Sequence, residues 1–162
     1  MADETDIRRL PIAATIVVAL TLAIAPLPEA AAPYRPDWVL LTLIYWSIVL
    51  PRTVSVGSAW LTGVVLDVAQ GTLLGQHALA LSAVVYLSVR FHLQLRVFPM
   101  SQMMVTVAAL IGFYQFVLFW INGVAGVTTS GASYWGPIVS GTLAWPLVYF
   151  LAGLVNYRRR HA

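Results

Sequence analysis

The apolar stretches of this chain enclose few side chains that can move a proton or hold a metal: one carboxylate, Asp67, and ten residues later an imidazole, His77. Such a pair could serve as general base and acid, or pass a proton within a membrane. A hydrolase or transferase needs a further acid/base group or a metal set. The other histidines stand apart, His92 at the edge of an apolar run and His161 in a basic tail. No serine lies in a Gly-x-Ser-x-Gly elbow, no His-Glu-x-x-His occurs, and no carboxylate cluster could bind magnesium for diphosphate chemistry. The absence of cysteine removes thiolate nucleophiles, iron–sulfur sites and thiolate zinc sites. These residues point to a non-enzymatic protein that uses no cofactor or metal.

A charge inside an apolar run costs roughly 2.5–3.5 kcal/mol on insertion scales, so Asp67 must be compensated. It follows Arg52 by about fifteen residues, or about 22 Å of helix, which places it near the opposite interface rather than mid-membrane. The simplest compensation is acceptance of hydrogen bonds from the backbone of the turn punctuated by Gly71 and Gly75, or pairing with Arg35 on the same side. Direct ligand or proton handling is the alternative. His77 reads as a helix-start residue satisfied by the turn, or as the partner of Asp67 across it.

The elements that position these residues follow from composition. Of 162 residues, 60% are apolar and 9% charged, against about 25% charged in soluble domains, which excludes a soluble globular fold. Six apolar runs, at 10–27, 37–51, 54–69, 77–91, 97–121 and 134–157, predict an all-α, single-domain bundle of about six transmembrane helices. Pro11 marks the start of the first, and Pro26, Pro28 and Pro33 end it. Arg8, Arg9 and the alanines 30–32 also fit a cleavable signal segment, against which the acidic Asp3, Glu4 and Asp6 count. The second run, thirteen residues from Trp38 to Leu50, covers only about 20 Å and spans only with Asp37 and Arg52 at the two interfaces. Pro51 and Arg52 force a turn, so the third run is expected to return as a tight hairpin, with Ala59 and Gly63 as a face for close helix contact. The sixth run contains Pro137 and Pro146, which bundled helices tolerate.

All nine basic residues are arginine, and eight fall in the tails and alternate gaps that would share one side; Arg35 alone falls on the other. Positive charge is retained in the cytoplasm, so both termini are expected there. Tyr34, Trp38, Trp120, Tyr134, Trp135 and Tyr157 near run ends fit interfacial belts. No arginine run exceeds three or interleaves with aromatics on a polar face, which argues against nucleic acid. Arg90, Arg96, Arg158, Arg159 and Arg160 are candidates for contact with anionic lipid or a cytoplasmic protein.

Several motifs in order carry a resemblance: Arg35-Pro36-Asp37-Trp38, Tyr45-Trp46 and Leu50-Pro51, then Gly63, Asp67 and Gly71-Thr72-Leu73-Leu74-Gly75-Gln76-His77-Ala78-Leu79. Later come Arg90-Phe91-His92, Arg96 with Phe98-Pro99, Phe119-Trp120, Tyr134-Trp135 and Trp145-Pro146. Along nearly its whole length the sequence resembles the rod shape-determining protein MreD family.

The resemblance implies a multi-pass subunit of the bacterial inner membrane, a scaffold of the peptidoglycan-synthesising elongation machinery. Its expected partners are the bitopic protein MreC, the MreB filament, and RodA with its class B penicillin-binding transpeptidase. It also implies a fold similar to the S-components of energy-coupling-factor transporters, which makes a small-molecule-binding subunit the alternative function. Asp67, Gly71, Gly75, His77, Arg35 and Trp38 are the candidate structural or partner-binding residues.

Overall fold

The structure is a computed structural model that describes residues 4–127 and 131–161, with side chains described from 10 to 127 and from 131 to 157. The described residues form seven α-helices: α1 (Glu4–Ile24), α2 (Trp38–Val49), α3 (Val56–Gln70), α4 (Gln76–Arg90), the short α5 (His92–Leu95), α6 (Met100–Val124) and α7 (Gly136–His161). Two 3-10 turns, Ala32–Tyr34 and Ala132–Trp135, precede α2 and α7. No strand occurs among them. The six expected runs each overlap one of the longer helices, and α5 is an additional turn between the fourth and fifth.

The helix α2 is the core. Every residue from Val39 to Ile48 is buried, because a helix apolar on all sides is stable only when surrounded. It packs against α1, α4 and α7, while α6 closes the bundle against α4 and α7. The indole of Trp46 donates to the Thr15 hydroxyl at 2.9 Å, which pins α1 to α2.

Three sequence expectations need correction. Pro11 lies inside α1, which already begins at Glu4. A proline removes one backbone bond without ending a helix whose other turns are intact. The hairpin expected between the second and third runs is not formed as a packed pair: α3 lies against α4 and, to a lesser extent, α1. The small face of α3 explains this. A Cβ on Gly63 would meet the Ala78 backbone nitrogen at 2.5 Å and the His77 carbonyl carbon at 2.8 Å, so the glycine lets two backbones touch. Finally, α6 runs from Met100 to Val124, three residues later than expected at each end. Pro99 sets the boundary by serving as its N-cap.

By length and apolarity, two described helices suffice to cross a membrane, Met100–Val124 and the stretch Ala132–Tyr157. Large apolar side chains also face outward on several helices, including Val18, Leu61, Val68, Leu79, Val105 and Leu143.

Candidate functional site

Asp67 sits in the last turn of α3, one helical turn beyond Gly63, and its carboxylate is fully buried. The chain then breaks at Gly71, whose φ of 65° is the left-handed conformation that ends helices, and again at Gly75, with φ of 97°. A Cβ at either glycine would meet nothing within 4 Å, so their requirement is conformational rather than steric. The resulting turn brings four donors onto one carboxylate. Oδ2 accepts from the Gly75 amide at 2.8 Å. Oδ1 accepts from the Thr72 hydroxyl at 3.0 Å, the His77 amide at 3.1 Å and His77 Nδ1 at 2.6 Å. A carboxylate only accepts, so Nδ1 carries the hydrogen.

This arrangement caps α4 from another helix. Gly75 is the N-cap of α4 and has no side chain to satisfy the orphan amides of the first turn. Asp67 takes over that task, and its negative charge opposes the positive end of the helix dipole. His77, itself 7% exposed, is held by the same group, and its ring lies against Tyr114 of α6 with centroids 6.3 Å apart. Tyr114 is buried and lies in the field of both Asp37 and Asp67.

The candidate residues divide accordingly. Asp67, Gly71, Gly75 and His77 form one constellation, and Thr72, which sequence reasoning overlooked, completes it. The signal was present, since a hydroxyl directly after a left-handed glycine can fold back on the helix it follows. The alternative that Asp67 pairs with Arg35 is not realised. The Arg35 guanidinium instead donates to the carbonyls of Ala23 and Ala25, at the end of α1. Trp38 opens α2, half-buried, and lines a groove between α1 and α7. Arg96 turns back to the end of α2, where Nε donates to Ile48 O at 2.9 Å and Nη2 to Val49 O. Arg90 is exposed at the end of α4. The side chains of Arg158, Arg159 and Arg160 lie outside the described residues, although the α7 backbone continues to His161.

Among the described residues no group of three or more His, Asp or Glu side chains could hold a metal. The Asp67–His77 pair could exchange a proton, but all four hydrogen bonds described above tie the carboxylate to the turn. Its demonstrable chemistry is to close the α3–α4 connection.

A family model for the rod shape-determining protein MreD matches residues 6–158 of this chain. The chain belongs to the MreD family. It is 30% identical over 136 residues to the rod shape-determining protein MreD of Haemophilus influenzae, covering 83% of each protein. The role in cell shape follows from that membership. No solved structure matches the chain.

Proposed function

We propose that this protein is a multi-pass subunit of the bacterial inner membrane that maintains rod shape as a non-enzymatic scaffold of the cell-wall elongation machinery. In this reading residues 1–162 form one transmembrane domain, with α1, α2, α3, α4, α6 and α7 as six spans and both termini cytoplasmic. The bundle docks MreC and links it to the MreB filament and to RodA with its class B penicillin-binding transpeptidase. The observation that carries the reading is the family match along nearly the whole chain. Two features support it. Outward-facing apolar side chains on several helices suit lipid and partner helices. The charged groups at the α3–α4 turn are consumed in holding one shape, as a scaffold requires.

Asp67, Gly71, Gly75 and His77 then act by fixing the outer ends of α3 and α4, with Arg35 and Trp38 fixing the junction of α1 and α2. The arginines at 90 and 158–160 face cytoplasmic partners or anionic lipid. A transporter subunit for a polar metabolite would need a polar-lined cavity. The groove between α1 and α7, about 660 Å³, is lined by aliphatic side chains with Trp38, Thr15 and Thr42, which favours the scaffold.

The test is affinity purification of the tagged protein from native membranes in mild detergent, with mass spectrometry of proteins and small molecules. Recovery of MreC with wall-synthesis proteins is the expected result. Recovery of ATPase subunits with one stoichiometric metabolite would replace the scaffold by uptake.

A further inference from the structure

The central helix is too short for its place. Twelve residues give α2 a length of about 18 Å, against roughly 30 Å of bilayer hydrocarbon. On the proposed topology α2 cannot reach both interfaces, and backbone at its ends is tolerated there only if protein or a polar cavity covers it. Arg96, from the segment after α5, supplies the cover through Nε and Nη2. A guanidinium carries five N–H donors, so three remain, including both on Nη1. Among the described residues no carboxylate forms an ion pair with it; the sole such pair is His77–Asp67.

Beside this arginine lies a pocket of about 280 Å³, bounded by the end of α2 and by Phe98, Met100, Met103 and Tyr149. Its wall is divided in character, with the guanidinium and a phenol among apolar side chains. The Tyr149 ring is set edge-on to Tyr45 at 5.6 Å and against Trp145 at 6.1 Å, so that wall is preformed. A planar fork with spare donors matches a phosphate group, and basic pockets between helices on the cytoplasmic side suit anionic headgroups. The apolar wall suits the acyl chain that such a headgroup carries. The volume fits a headgroup and the start of a chain, not a whole lipid.

We propose that this pocket is a binding site for an anionic phospholipid of the cytoplasmic leaflet, its phosphate held by Arg96 and its chain laid along Phe98, Met100 and Met103. The bound lipid would complete the neutralisation of an arginine that the fold needs at the end of its core helix. The site rests on the proposed topology, because only a cytoplasmic α5–α6 segment meets that leaflet.

The test uses the purified full-length protein, with thermal unfolding and native mass spectrometry in the presence of phosphatidylglycerol, phosphatidylcholine or inorganic phosphate. Phosphatidylglycerol is expected to be retained and to stabilise, phosphatidylcholine to be lost. Arg96→Gln is expected to weaken retention about fivefold, the effect of one arginine near an anionic surface. Because that change also uncaps α2, Met100→Trp, which fills the pocket and leaves the cap alone, is the second variant and is expected to weaken retention similarly. Equal retention of both lipids, undiminished retention in Met100→Trp, or full stabilisation by inorganic phosphate alone would overturn the proposal. The topology is read separately. The chain has no cysteine, so Glu29→Cys and Arg52→Cys report sidedness to a membrane-impermeant maleimide on spheroplasts. Labelling of position 52 but not 29 would reject the topology while leaving the binding result intact.

Discussion

Replacement of Asp67 by alanine removes the acceptor for four donors at once, and the structure sets the scale of the loss. The Thr72 hydroxyl has a second acceptor, the Asp67 carbonyl at 3.5 Å, which the substitution leaves in place. The Gly75 and His77 amides lie at the start of α4 and lose their side-chain acceptor outright. A buried donor left without a partner costs about 1–3 kcal/mol, so these two amides alone give about 2–6 kcal/mol. In lipid the unfolded reference also finds partners, and average bonds fall to about 0.6 kcal/mol, which puts the lower bound for four near 2 kcal/mol. The expected destabilisation is about 3 kcal/mol. Asp67→Asn keeps one oxygen for the three donors at Oδ1, and loses the Gly75 bond and the charge at the α4 terminus, the latter about 0.3–1 kcal/mol. It should cost about half as much as alanine. The assay is reversible unfolding of the full chain in mixed detergent–SDS micelles followed by circular dichroism. A cost below about 0.5 kcal/mol for alanine would refute the placement of this carboxylate as the closure of the turn. At equal protein level, intact MreC co-purification and rod shape in Asp67→Asn would further show that partner docking does not depend on its charge.

Two glycine substitutions separate close packing from backbone conformation. Gly63→Ala drives a Cβ into the Ala78 and His77 backbone, so α3 and α4 must part; a cost near the upper end of about 1–3 kcal/mol is expected in the same unfolding assay. Gly75→Ala meets nothing within 4 Å and pays only for a left-handed residue, about 1–2 kcal/mol, so the reverse ranking would contradict the backbone contact. Changing Arg158, Arg159 and Arg160 together to Gln should leave the bundle's melting unchanged and weaken membrane association of the MreB filament, measured by its localisation; unchanged localisation would remove these residues from that contact.

The α3–α4 site was legible because its logic is local. Asp67, Gly71, Gly75 and His77 lie within eleven residues, and glycine spacing alone announces a turn with free amides beside a carboxylate. Arg35 and Arg96 were not legible in the same way. Each is an arginine in a short polar gap, and nothing in its neighbourhood tells that it reaches carbonyls ten or more residues away at the end of α1, or nearly fifty residues away at the end of α2. The short second run was ambiguous for a different reason: thirteen apolar residues satisfy a marginal span and a core helix equally, and hydropathy carries no term for what surrounds the helix. The capping role of Asp37, which accepts from the Leu40 amide at 3.1 Å, was readable as a polar residue directly before an apolar run.

These cases share one physical cause. A helix of twelve or fifteen residues leaves the same number of orphan amides and carbonyls as one twice as long, so a bundle of short helices must cap a larger share of its backbone. Where water is scarce, that work falls to charged side chains matched in sign to the helix end. Asp37 serves the amino end of α2 and Arg96 its carboxyl end; Arg35 serves the carboxyl end of α1; Asp67 serves the amino end of α4. The charges that looked most like catalytic machinery in the sequence are thus spent on terminating helices. Among the described residues, what remains free for recognition is the exterior: the apolar faces of the helices, the groove between α1 and α7, the exposed Arg52 and Arg90, and the spare donors of Arg96. Surfaces of fixed shape are what the proposed scaffold role asks of such a bundle.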